Sequence, residues 1–258
     1  MNGWLESDYR PEFHVGRIST LRAAIEQFGA TVPDSIARAE QLLLAGQAFV
    51  DQEAGSVLSL TDDHVAENII QRSWRAHVSH APLQMSPPVG AEAGFETFKR
   101  ALVVELLADV RGRVPDLIAE VRGDFDMAAD VMVTAVQEFG FTYNTTANDV
   151  IDMDNPDAVR ALRETRPAWR ALVRIERGLR DLLAALDIAT PLDPRNRAIG
   201  DPPDLSAYFA AGEIWSDNGG YHIEQRTQGG IDWFALAAGG LRLNTPSEVE
   251  AKISGRAA

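Results

Sequence analysis

Between Arg170 and Asp187 the apolar residues Leu172, Ile175, Leu179, Leu182 and Leu186 recur in steps of three and four. A helix turns once every 3.6 residues, so these side chains share one face. Such a face is stable only when other helices cover it. Trp169 and Leu183 broaden it, which asks for more than one neighbour and favours a bundle within the chain over a two-stranded coil.

The start of this helix raises a second question. The stretch VIDMDNPDAVRALRE, residues 150–164, crowds Asp152, Asp154, Asn155 and Asp157 together. A calcium loop of the form D-x-[DN]-x-[DN]-G-x5-E does not fit. Counted from Asp152, Pro156 falls where a ligand belongs, Asp157 where glycine is required, and Arg163 where a bidentate glutamate belongs. A D-x-D pair, Asp152 and Asp154, remains, but no strand precedes it as a nucleotide-sugar site would require. Helix initiation explains the cluster. Asn155 suits the N-cap, Pro156 the first helical position, and Asp157 the positive end of the dipole. The helix is expected to run to about Asp187, kinked or broken at Pro167.

Similar signals recur upstream. Leu21, Ala24, Ile25 and Phe28 have helical spacing, with Ser19 or Thr20 as cap and Gly29 as stop. A second helix is expected from Pro33 to about Val50, facing inward with Ile36, Ala39, Leu42 and Leu43. The run SVLSL reads as a brief strand or a loop, and Thr61 caps a further helix to about His80. Residues 81–94, with three prolines and two glycines, read as a linker or surface loop. Three shorter helices are then expected. One runs from Phe95 to Arg111 on Phe98, Leu102, Leu106 and Val110. Another starts at Pro115 and ends at Gly123. The third carries Phe125, Ala128, Met132, Ala135 and Phe139 and stops at Gly140. Trp4, Leu5, Tyr9 and Phe13 near the start suggest an arm that packs on the chain's own core or on a neighbour.

Beyond Thr190 the texture changes. Residues 191–204 are a turn-rich connector. Ile214 and Trp215 on one arm, Tyr221 and Ile223 on the other, with Asn218-Gly219-Gly220 between, predict a β-hairpin. LRLN, residues 241–244, predicts a further strand, and Thr245, Pro246 and Glu248 a capping box opening a short helix. The expected fold class is mainly α: a multi-helix, bundle-like domain over 1–190 and a small, glycine-rich α+β element, a β-hairpin plus short helix, over 205–258.

Charge and composition narrow the chemistry. The net charge of −14 repels phosphate backbones and anionic lipid. With no cysteine there is no disulfide, no thiolate nucleophile and no cysteine-ligated metal. No segment is apolar enough to span a bilayer, and the first residues lack the basic start and apolar run of a secretory signal, so a cytoplasmic location is expected. Lysine occurs only at Lys99 and Lys252 against 22 arginines. That bias fits a GC-rich coding sequence, such as an actinobacterium or one of its phages carries, and so a virion location as the other expectation.

The best imidazole constellation is His64-x-x-Glu67 with His77-x-x-His80, on one expected helix. Residues three apart share a face, so each pair presents two ligands. The pairs stand roughly 20 Å apart along a straight helix, too far for one cation. The plainer reading of His77 and His80 is a last helical turn whose exposed carbonyls favour positive charge. SDN, residues 216–218, matches one element of the penicillin-recognising enzymes, but S-x-x-K and K-T-G are missing, as are G-x-S-x-G, the Walker loop and G-x-G-x-x-G. Asp109, Asp116, Glu120, Asp124, Asp126 and Asp130 read as a solvated acidic face.

The distribution of charge is more telling. Residues 95–155 hold twelve acidic against five basic side chains, and residues 156–190 five against seven. On the latter stretch Arg163, Arg166, Arg170, Arg174 and Arg177 lie mostly away from the leucine seam. They suit water, the acidic helices of the same chain or of a second copy, an external protein, or a phosphate backbone. The expectation is therefore a non-enzymatic assembly, adaptor or structural protein without cofactor or bound metal. It would act by protein–protein contact or self-association through these arginines and through Trp215 and Tyr221. The alternatives are a metal-dependent hydrolase using His77 and His80, and nucleic-acid binding through the arginine face.

Overall fold

The computed structural model describes residues 11–51, 91–188, 205–212 and 231–256. The α-helices among these residues are α1 (Pro11–Phe28), α2 (Asp34–Asp51), α3 (Ala91–Phe139), α4 (Ala147–Asp152), α5 (Pro156–Ala185), α6 (Trp233–Ala238) and α7 (Pro246–Arg256). A 3-10 turn spans Ser206–Tyr208, and no strand occurs among the described residues. The chain is mainly helical, as expected. None of the described helices is long and apolar enough to cross a membrane. His77, His80, Trp215, Tyr221 and the expected hairpin lie outside the described residues.

The described residues fall into two compact units. The first takes those up to Thr20 and from Pro33 to Val110; the second takes Leu21–Val32 and those from Arg111 onward. In the first, the Pro33 carbonyl accepts the Ile36 amide at 3.0 Å as α2 begins, and Ile36 and Ala39 are buried. α2 approaches α3 closely where Gly46 meets Phe95: a β-carbon on Gly46 would stand 2.4 Å from the Phe95 ring. Phe95 stacks near Phe98 with centroids 6.3 Å apart, and the Lys99 ammonium lies 4.8 Å from the Phe95 centroid while it pairs with Glu96. Ser19 and Thr20 do not cap a helix. α1 begins earlier, and both hydroxyls donate back to the Gly16 carbonyl, at 2.9 and 2.8 Å. Such back-bonding lets these residues sit inside a helix.

The second unit corrects the expectation of three short helices: α3 is one helix of 49 residues. Gly112, Pro115 and Gly123 are exposed, while Val110, Val114, Leu117, Ile118, Val121 and Phe125 form a buried row straight past them. A proline inside a helix costs about 3 kcal/mol and a glycine about 1. Burial of each large apolar side chain returns about 1.5–3 kcal/mol, so the row outweighs the breakers. The helix stops at Gly140, whose φ of 67° is open to glycine at little cost; the Phe141 amide then reaches the Ala135 carbonyl at 3.2 Å. Phe141 is buried with Ala135, Val150 and Ala158. α4 opens on a capping box in which Thr146 and Asp149 exchange hydrogen bonds.

At Asn155 the side-chain oxygen accepts the Asp157 amide at 2.9 Å, with Pro156 leading α5. α5 is continuous for 30 residues through Pro167 rather than broken there. The seam residues Leu172, Ile175, Leu179, Leu182, Leu183 and Leu186 are all fully buried, whereas Trp169 is 38% exposed and does not join them. Arg111 closes the far end: its Nε donates to the Leu186 carbonyl at 2.7 Å and its guanidinium stands 3.8 Å from Asp187.

The C-terminal segment packs in the same unit. Phe209 stacks on Phe125 at 5.8 Å and meets Trp233 edge-on at 5.1 Å. The Asn244 amide is buried and donates to the carbonyls of Ala207, Ala210 and Arg242 at 3.2, 2.8 and 3.1 Å. The strand expected at 241–244 is instead an extended run with one antiparallel bridge, Ala210–Leu241. Its partner Ala210 lies two residues past the 3-10 turn, whose coiled backbone stops a strand ladder there, while the Arg242 and Asn244 amides still donate to the Phe209 and Tyr208 carbonyls at 2.9 and 2.8 Å. The capping box at Thr245 forms as expected: Thr245 N–H donates to Glu248 at 2.7 Å and Glu248 N–H to the Thr245 hydroxyl at 3.3 Å.

α1 and α5 cross where a β-carbon on Gly178 would stand 2.3 Å from the Phe28 Cα and 2.5 Å from its nitrogen. Backbone cannot swing aside as a side chain can. Gly178→Ala should therefore destabilise the chain by about 1–3 kcal/mol in urea unfolding, although alanine is the better helix former by about 1 kcal/mol. A variant as stable as the parent would show that the two helices do not cross so closely.

Candidate functional site

α5 has two faces of opposite character. The apolar seam is buried, and Arg163, Arg166, Arg170, Arg174 and Arg177 are all exposed. Their steps of three, four, four and three keep them on one stripe about 21 Å long. Trp169 lies beside the stripe, one turn from Arg166 and next to Arg170.

The helix carries seven arginines. Those nearest its ends have acidic partners in helical phase: Arg160 donates to Asp157 at 2.5 Å, and Arg180 pairs with Glu176. The five between them form no ion pair with a described carboxylate. Sequence spacing explains this. One turn away from most of them stands another arginine: 163 with 166, 166 with 170, 170 with 174, and 174 with 177. Each such like-charge neighbour costs about 0.2–0.5 kcal/mol, so the row destabilises the isolated helix by about 1–2 kcal/mol. Planar guanidiniums with five donors each are left facing water, free to take carboxylates or phosphates in bidentate fashion.

Glu176 is the exception on this helix. It is 2% exposed, on the edge of the seam between Leu172 and Leu179. Burial pushes its carboxyl up to about 7 from an ordinary 4.5, against the opposing pull of Arg180 and then Arg177. The sequence carried a signal for it, since position 176 follows Leu172 by four and precedes Leu179 by three. Exposed Asp149 is held below its ordinary value by its hydrogen bonds to Thr146.

The opening cluster is a cap. Asp152 and Asp154 are exposed, Asp154 turns the chain with φ of 47°, and Asn155 rather than an aspartate makes the functional hydrogen bond. Among the described residues no three His, Asp or Glu side chains converge as metal ligands. On α3, Asp116, Glu120, Asp124, Asp126, Asp130 and Glu138 are exposed, with Met127 among them 66% exposed. Glu120 accepts the Thr31 amide at 2.7 Å.

Set beside known proteins, the chain matches no family model, no curated sequence and no solved structure.

A carboxyl with a raised folded-state pKa is protonated in the folded chain at pH values where the unfolded chain has lost the proton. Its contribution to stability is full below about 4.5 and is lost as pH rises through about 7. Glu176→Gln keeps the shape and cannot ionise. Between pH of about 4 and 8 the variant should gain on the parent by of the order of 3 kcal/mol in urea unfolding, with no gap at the acid end. Parallel pH profiles for the two proteins would mean that the carboxyl titrates normally.

Proposed function

We propose that the chain is a non-enzymatic assembly or adaptor protein that docks an acidic protein surface through the arginine row of α5. One observation carries the reading: five exposed guanidiniums on a single stripe form no ion pair with a described carboxylate, in a chain of net charge −14. The spacing that keeps them unpaired weakens the helix, so an external partner is where their charge is satisfied. Trp169 at the edge of the row supplies an apolar anchor beside arginines, the pairing that dominates protein interfaces. The segment around Trp215 and Tyr221 is a proposed second contact, on its aromatic, alternating sequence.

The same arginines suit a phosphate backbone. The net negative field opposes both ligands at long range, and duplex DNA the more, since it carries a charge about every 1.7 Å along its axis, denser than a folded acidic surface.

Poly-L-glutamate and duplex DNA serve as probes, titrated into the full chain over a salt series. Poly-L-glutamate should bind more tightly than DNA, weaken with salt, and lose about tenfold in affinity in the double variant Arg170→Glu, Arg174→Glu. Tighter binding of DNA would move the row to nucleic acid. Binding indifferent to both substitutions would remove it from the interface.

A further inference from the structure

We infer that the acidic partner of the arginine row is the α3 surface of a second copy of this chain. This rests on the docking role proposed above and names its occupant. Two exposed stripes of one sequence are complementary in charge and length.

After Pro115 the solvent side of α3 carries Asp116, Glu120, Asp124, Asp126, Asp130 and Glu138. It opposes the buried row Leu117, Val121, Phe125 and Met132, so these acids lie on one broad face. Successive members Asp116, Glu120 and Asp124, and likewise Asp126 and Asp130, stand one turn apart, which repeats the like-charge pattern of the arginines with the opposite sign. Apart from Glu120, none makes a hydrogen bond or ion pair with a described group. The stripe from Asp116 to Glu138 is about 33 Å long, and the arginine stripe of about 21 Å fits within it.

Each stripe also holds one exposed apolar side chain near its middle, Met127 on α3 and Trp169 at the edge of the α5 row. With Trp169 opposite Met127, the arginines extend roughly 9 and 12 Å to either side along the helix, inside the acidic span of roughly 16 Å each way. A thioether against an indole is a favourable contact, and arginines around a tryptophan ringed by carboxylates have the composition of an interface centre. The contact pairs unlike surfaces of two copies, the arrangement from which rings and open chains are built.

The test is sedimentation velocity of the full chain at several concentrations. At about 0.1 M salt the parent should sediment as a concentration-dependent oligomer, and at about 1 M salt, where the Debye length is about 3 Å, as a monomer. The variant Arg166→Glu, Arg170→Glu, Arg174→Glu and the variant Asp126→Arg, Asp130→Arg should each be monomeric alone. The first retains the acidic stripe and the second the arginine row, so their equimolar mixture should form a one-to-one complex. All substituted positions are exposed, and circular dichroism checks the helices. A parent that is monomeric at low salt, oligomers that survive in either variant, or a mixture that stays monomeric would each overturn self-docking. Should poly-L-glutamate still bind the row in that case, the docking role stands with a different acidic partner. Should that binding fail as well, both readings fall together.

Discussion

Everything distinctive about the second unit follows from covering one face of α5. Leu172, Ile175, Leu179 and Leu182 lose all contact with water, and Gly178, in the same face, brings the helix against the backbone of Phe28. An approach that close leaves no room for a side chain at the crossing, so the geometry is set by backbone shape as much as by apolar area. With the seam fixed inward, the opposite side of a helix has nowhere to face but water, and the arginine row is displayed as a consequence.

The same logic accounts for α3. Its apolar row runs past two glycines and a proline, and their local costs do not interrupt it. One rigid rod then presents residues 116 to 138 as a single surface. Three short helices with independent directions would scatter the same carboxylates. Continuity of α3 is therefore what turns a list of acids into a stripe. The C-terminal segment braces this rod, through Phe209 against Phe125 and through Arg122, which donates to the Leu243 carbonyl at 3.3 Å.

What the sequence revealed was mostly local. The Asn155-Pro156-Asp157 start, the glycine stops at Gly29 and Gly140 and the Thr245 capping box depend on groups within a few residues, and each forms as read. The seam of α5 was legible because its period is regular. Pro115 misled, and Pro167 does not break α5, because a proline signals a break locally while the burial that overrides it comes from distant parts of the chain. Trp169 was assigned to the seam, yet it lies on the edge of the face and stays exposed. Glu176 was hidden among charged neighbours; a helical projection places it beside the leucines. The exposure of the arginines was legible, and so was the absence of an acid one turn from Arg163, Arg166, Arg170 and Arg174, whereas Arg177 has Asp181 four residues on; whether another helix would cover them was not legible.

The ends and the middle of α5 distribute charge differently. Solvated helices usually alternate sign at one-turn spacing, since each opposite pair adds a few tenths of a kcal/mol. α5 has opposite-sign pairs toward its ends, Asp157–Arg160 and Glu176–Arg180, the second with a carboxyl that burial disfavours in its charged form. In the middle it does the reverse over four successive neighbours, and α3 sets Asp116, Glu120 and Asp124, and Asp126 and Asp130, one turn apart, with Arg113 and Arg122 one turn before Asp116 and Asp126. Segregating charge onto separate rods sacrifices stability within one molecule and creates two surfaces of opposite sign. The result is two exposed surfaces of opposite sign on one chain, the complementarity on which the proposed self-docking rests.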